Sequence, residues 1–159
     1  MPDARASMTA KRRATNRIYG ALSLVAAVAA VALAVLAGWR QSAALGLGYA
    51  ALALLSLVAI TALFCTKCSD RDRCGHVVFG PVARFISKEL RKGEYTTTEL
   101  AFTSLGLAAI FVLPQAWLWR VPLALAGFWL CLLLASIDVR MRVCPACGNA
   151  ACPLSRAER

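Results

Sequence analysis

The sequence predicts an all-α integral membrane protein, a four-helix bundle of two tandem helical hairpins with an interfacial amphipathic helix in the loop between them. Three observations predict it. The chain of 159 residues is 60% hydrophobic and 16% charged, whereas soluble domains average about 45–50% apolar and about 25% charged. Its mean hydropathy is +0.64. Its apolar residues gather in four charge-free runs, each close to the roughly 20 residues that cross a bilayer as a helix. The apolar surplus therefore has lipid to face.

Residues 1–17 form a basic tail carrying Arg5, Lys11, Arg12, Arg13 and Arg17. The first span, 18–39, follows it. A basic flank before an apolar run containing Ala32-Leu33-Ala34 has the outline of a secretory signal, but the run is about twice the usual length of such a segment. It reads instead as a signal anchor. The second span is 43–64, and the hairpin turn between the two holds Arg40. Ala26, Ala30 and Ala34, and likewise Ala44 and Gly48, recur every fourth residue, a spacing that lets helix backbones approach closely.

The third and fourth spans, 100–119 and 121–138, are separated by Arg120, and Pro122 stands where a new helix takes its first turn. A single bent rod would strand Arg120 at mid-membrane, at a cost of about 2.5 kcal/mol or more. A second hairpin follows. Pro114-Gln115 marks a kink near its outer end, and Cys131 is a small apolar packing residue.

Charge sets the orientation. The tail before the first span, the loop between spans two and three and the segment after span four carry nearly all of the basic residues, leaving Arg40 and Arg120 alone in the opposite connections. An even number of crossings puts the three basic segments on one side, and basic loops stay in the cytoplasm. Both termini and the central loop are thus expected on the cytoplasmic face of an inner or plasma membrane. Trp39, Trp117 and Trp119 fall at the outer helix ends, where amphipathic rings favour the interface.

Several functions are excluded. The spans hold no Asp, Glu, Lys, Arg or His before Asp138, so a proton relay or charged-substrate pathway lacks its groups. Ser23, Ser56, Thr61, Thr103, Ser104 and Gln115 read as helix-packing donors, at about 0.6 kcal/mol each in membranes. No aromatic residues interleave with the basic clusters as a base-stacking platform needs, so nucleic acid is not a partner. No nucleophile–base pair or phosphate-cradling glycine loop is present, so the chain is not expected to be an enzyme.

Chemistry concentrates in the cytoplasmic cysteines. Cys65-Thr-Lys-Cys68 is followed by Cys74, and Cys144-Pro-Ala-Cys147 by Cys152; each trio follows directly after an even-numbered span. The separation of Cys65 from Cys144 equals that of Cys68 from Cys147, which suggests a duplicated hairpin-plus-motif unit. Two thiolates two residues apart can turn onto one ion at about 2.3 Å, and two such pairs complete a tetrahedron. Cytosolic thiols stay reduced, which favours metal over disulfide. Lys67, Arg71, Arg73, Arg140 and Arg142 stand ready to offset the thiolate charge. Cys74, Cys152 and His76, the only histidine, are further candidate ligands.

The segment Cys144-Pro-Ala-Cys147-Gly-Asn149 resembles one half of a zinc ribbon, which implies a structural zinc ion. The expectation is a zinc-clamped scaffold or accessory subunit without catalysis. The alternative is an iron–sulfur or thiol-based protein that exchanges electrons or passes on a soft metal.

The central loop, 65–99, contains one further element. From Pro81, the residues Val82, Phe85, Ile86 and Leu90 mark an apolar helical face, with Arg84, Ser87, Lys88, Arg91 and Lys92 opposite. A helix over 81–92 would lie in the interface, its cations meeting anionic lipid headgroups at about 1 kcal/mol each. A protein partner is the alternative occupant of this face. Gly93 ends the helix, and Thr96-Thr97-Thr98-Glu99 supplies a capping box that launches the third span.

Overall fold

The computed structural model describes residues 2–68, 74, 76–87 and 95–146, and among them it contains helices and no strand. Four helical segments are long and apolar enough to cross a membrane: Asn16–Trp39, Ala43–Lys67, Thr97–Leu118 and Pro122–Val143. Only 11–28% of their most apolar windows is buried inside the protein, so most of the apolar surface is left for lipid, as expected of a membrane protein.

Helix α1 runs from Pro2 to Trp39, 38 residues in all, and at 1.5 Å per residue is a rod of about 57 Å. The basic segment expected as a tail is therefore continuous with the first span. Its alanine, lysine and arginine residues favour helix, and Pro2 sits in the first turn where its missing N–H is harmless.

The hairpin to α2, Ala43–Leu63, is tight. The Gln41 and Ser42 N–H groups both donate to the Gly38 carbonyl at 3.0 Å, and Ser42 caps α2 by accepting from the Leu45 N–H at 3.1 Å. A Cβ on Gly46 would lie 3.0 Å from the backbone N and Cα of Trp39, so only glycine allows this approach. The expected Ala44/Gly48 stripe does not serve it: Ala44 is exposed and Gly48 has nothing within 4 Å of a would-be Cβ. The α1 stripe does pack, with Ala30 and Ala34 fully buried.

After the loop comes α3, Phe79–Ile86, then α4, Thr97–Phe111, which opens on the expected capping box. The third span does not continue unbroken to 119. It ends in a turn at Val112–Pro114, and a short helix α5, Gln115–Leu118, carries the chain to Trp119. Pro114 is the cause, because it has no N–H to give the Ile110 carbonyl. The Tyr49 hydroxyl from α2 donates to that carbonyl instead, at 2.8 Å. The Gln115 side-chain amide likewise donates to the Phe111 carbonyl at 2.8 Å. The kink thus becomes a site of attachment between α2 and α4.

Helix α6, Pro122–Asp138, starts at the expected proline. It runs on through a π-helical turn, Val139–Val143, into a 3-10 turn, Cys144–Ala146.

α1 is the central element: α2 and α6 both pack on it, while α4 packs on α2. α4 and α6, though joined by a short connection, each choose a neighbour in the first hairpin rather than one another. The main core cluster forms where α1, α2, α5 and α6 meet, around Ala30, Ala34, Ala37, Tyr49, Trp117, Leu118 and Phe128, and Cys131 packs against it.

Trp117 is the anchor of this cluster and not an interfacial ring. It is buried, its indole N–H donates to the Ala34 carbonyl at 2.9 Å, and its ring meets Tyr49 edge-on at 5.3 Å. Trp39 and Trp119 are exposed. The hydroxyls expected to bridge helices mostly bond backwards: Ser23 to the Gly20 carbonyl and Thr61 to the Leu57 carbonyl. Thr103 is buried, and its hydroxyl finds no partner among the described residues.

Candidate metal-binding face

Both cysteine motifs start at the same end of the bundle. α1 and α2 are antiparallel across a tight turn. Trp117 and Gln41 tie the chain before α6 to the opposite end of α1, with the Gln41 amide donating to the Trp117 carbonyl at 3.3 Å. α6 therefore runs back toward the start of the α1 span, and Arg142 closes over the Tyr19 ring at 3.9 Å.

The first motif is a single 3-10 turn, Cys65–Lys67, directly after α2, with the Cys68 N–H donating to the Cys65 carbonyl at 3.2 Å. In a 3-10 turn, side chains three residues apart eclipse one another. Cys65 opens this turn and Cys68 is the extended residue that closes it. The second motif opens identically, since Cys144–Ala146 is also a 3-10 turn placed directly after a span and its π-helical turn. Cys65, Cys68, Cys74 and Cys144 are all partly buried. Cys147 and Cys152 lie outside the described residues, and among those described no three His, Cys, Asp or Glu residues gather as a metal set.

The first turn is held firmly. Thr66 is buried and its hydroxyl donates to the Ala62 carbonyl at 2.6 Å. Tyr95 stacks on Phe64 at 4.5 Å, and its hydroxyl reaches the Phe64 carbonyl at 3.4 Å. The Lys67 ammonium donates to the Glu99 carboxylate at 2.6 Å, with both side chains largely buried. The same carboxylate oxygen accepts from the Thr96 N–H at 3.0 Å, so the α4 capping box and the cysteine turn share one acid.

The cations near the motifs also have carboxylate partners. Lys67 neutralises Glu99, and Arg142 pairs with Asp138 and Tyr19. Arg140 is exposed, and Arg71 and Arg73 lie outside the described residues.

His76 is partly buried, edge-on to Phe79 at 5.6 Å, and burial pushes its imidazole below the ordinary range, which favours the neutral, metal-competent form. α3 begins two residues earlier than expected and ends at Ile86, where Ser87 turns extended. The rest of the expected helix, from Lys88 to Lys92, lies outside the described residues. α3 packs on α2 and the cysteine turn, with Gly80 and Ala83 buried. Val82, Phe85 and Ile86 face outward, Phe85 at 91% exposure.

Comparison with family models, curated proteins and solved structures finds no match.

Sequence reasoning missed the Lys67–Glu99 pair. Its signal was available: a lysine directly after one span and a glutamate at the start of the next must pair or face the membrane boundary unpaired. Lys67→Glu is expected to lower resistance to SDS unfolding by placing two carboxylates together. Adding Glu99→Lys should restore it. Restoration by the double exchange, followed by circular dichroism, checks the pair.

Proposed function

We propose that this chain is a non-catalytic membrane scaffold or accessory subunit whose cytoplasmic face carries a structural zinc site. The observation that carries the reading is the shared form of the two motifs. Each C-x-x-C begins in a 3-10 turn, each follows a membrane-spanning helix, and both occur at one end of the bundle. The described donors Cys65, Cys68, Cys74 and Cys144 are soft and partly buried, and thiolates are the ligands that zinc or another thiophilic ion takes.

Cys65 and Cys68 would supply one pair of ligands and Cys144 and Cys147 the other, with Cys74, Cys152 and His76 as further candidates. A bound ion would tie the end of α2 to the end of α6, elements that otherwise communicate through α1. Its role is geometric, as in other closed thiolate sites. The basic segments support a cytoplasmic position for this end. The outward Val82, Phe85 and Ile86 face of α3 would rest among lipid headgroups, as an interfacial helix between the second and third spans.

Metal analysis of protein purified without oxygen tests the reading. The expected outcome is colourless protein holding zinc, and loss of that zinc on Cys68→Ser or Cys144→Ser. Retention by either variant would refute a site shared between the motifs. Iron with absorption at about 400 nm would favour the cluster instead. Metal-free protein whose thiols all react with maleimide in the native state would end both readings.

A further inference from the structure

We infer that the groove between α1 and the end of α6 is a binding site for a zwitterionic phospholipid with a primary ammonium, a phosphatidylethanolamine. The groove is an open cavity of about 690 Å³, within the roughly 300–1,000 Å³ of small-molecule sites. Leu22 and Ala26 of α1 and Leu134 and Ile137 of α6 form its walls, and Asp138 and Arg142 form its lip. From Leu134 to Arg142 the chain advances about 12 Å at helical rise, so the walls suit an acyl chain and the lip lies at headgroup depth.

Every apolar surface in a membrane meets acyl chains, so the walls alone would select no lipid. The lip does. It presents one cation and one anion whose hydrogen-bonding capacity is largely unspent. The Arg142 Nε stands 3.5 Å from the Asp138 carboxylate, a loose ion pair between partly exposed side chains. The guanidinium face rests on the Tyr19 ring at 3.9 Å. That contact fixes the position of the group through its face and leaves its in-plane N–H donors available.

The π-helical turn at Val139–Val143 is an independent sign. Such turns are rare and are found frequently at functional sites. This one contains Arg142.

The chemistry identifies the headgroup. A planar guanidinium matches two phosphate oxygens in bidentate fashion, and a carboxylate beside it accepts from a primary ammonium. Phosphatidylcholine carries the phosphate, but its quaternary nitrogen has no N–H for Asp138, and the Tyr19 face is already occupied. Phosphatidylglycerol offers no cation and would leave Asp138 facing an anion. Among the described residues no cysteine lines the groove, and lipid binding there requires no metal.

Native mass spectrometry of the full chain released from nanodiscs tests this, using equal amounts of phosphatidylethanolamine, phosphatidylcholine and phosphatidylglycerol with identical acyl chains. The expected result is one retained lipid, with phosphatidylethanolamine favoured over phosphatidylcholine by about tenfold, the worth of one charge-assisted hydrogen bond. Asp138→Asn should erase that preference, and Arg142→Gln should reduce retention of all three. Ala26→Phe, which fills the groove and leaves the lip intact, should also remove the lipid. Unchanged melting temperatures in lipid-free detergent show that the variants fold. Equal retention of phosphatidylethanolamine and phosphatidylcholine, preference for phosphatidylglycerol, or retention unaffected by these substitutions in folded protein would each overturn the assignment.

Discussion

Trp117→Ala is expected to be the most damaging single substitution in the apolar core, lowering stability by about 3 kcal/mol, the order seen when large aromatic side chains are removed from packed sites. Three losses coincide. The cavity opens among Ala34, Tyr49 and Phe128, the Ala34 carbonyl loses its indole donor, and Tyr49 loses its edge-on partner while still committed to the Ile110 carbonyl. Lipid tails solvate apolar groups as well as a protein core does, so the penalty arises chiefly from the void and the lost contacts. Trp117→Phe separates the contributions. It keeps a ring against Tyr49 and removes the N–H donor, and should lower stability by about 0.6 kcal/mol, the typical worth of such a bond in a membrane protein. SDS titration followed by circular dichroism reads both. Equal losses for the two variants would contradict the cavity account.

The second large effect is a contrast between two glycines on one helix. Gly46→Ala should destabilise by about 1–3 kcal/mol, as overpacking does, because the new Cβ would meet the Trp39 backbone at 3.0 Å and no side chain can move to admit it. Gly48→Ala should be neutral or stabilising by up to about 1 kcal/mol, the helix-propensity gain of alanine over glycine, since nothing stands within 4 Å of its would-be Cβ. Opposite signs for the same substitution in SDS unfolding would locate the close approach of the first hairpin. Matching signs would refute it.

The contrast also shows which kind of information the sequence carries. Four apolar runs, the proline that starts α6 and the Thr96–Glu99 cap are local patterns, and local physics specifies them. The small-residue spacing at Ala44 and Gly48 is just as visible as that at Ala30 and Ala34, yet one pair is exposed and the other buried. Periodicity states that a face exists, and the choice of neighbour decides whether it is used. Trp117 illustrates the same limit, because its position at a helix end suits both an interfacial ring and a core anchor. Only the proximity of the Ala34 carbonyl distinguishes them.

At the cysteines, the C-x-x-C spacing was legible, and the structure adds the 3-10 turn at Cys65–Lys67. A meeting of two motifs far apart in sequence depends on tertiary placement, and Cys147 and Cys152 lie outside the described residues. The cations beside the motifs were legible as charges but not as partners, since Glu99 and Asp138 compete for them.

The arrangement of α4 on α2 and α6 on α1 bears on how the chain is made. Once the ribosome has delivered α1 and α2, the surfaces that receive both later helices already exist. α4 can seat while α6 is still being synthesised and has little need of it. α6 then has to find α1, the longest loop closure among the described helix pairs and the one that topology makes slowest. Joining α6 to α1 therefore follows the assembly of α1, α2 and α4, and a chain stalled before that step would hold these three helices together in the bilayer.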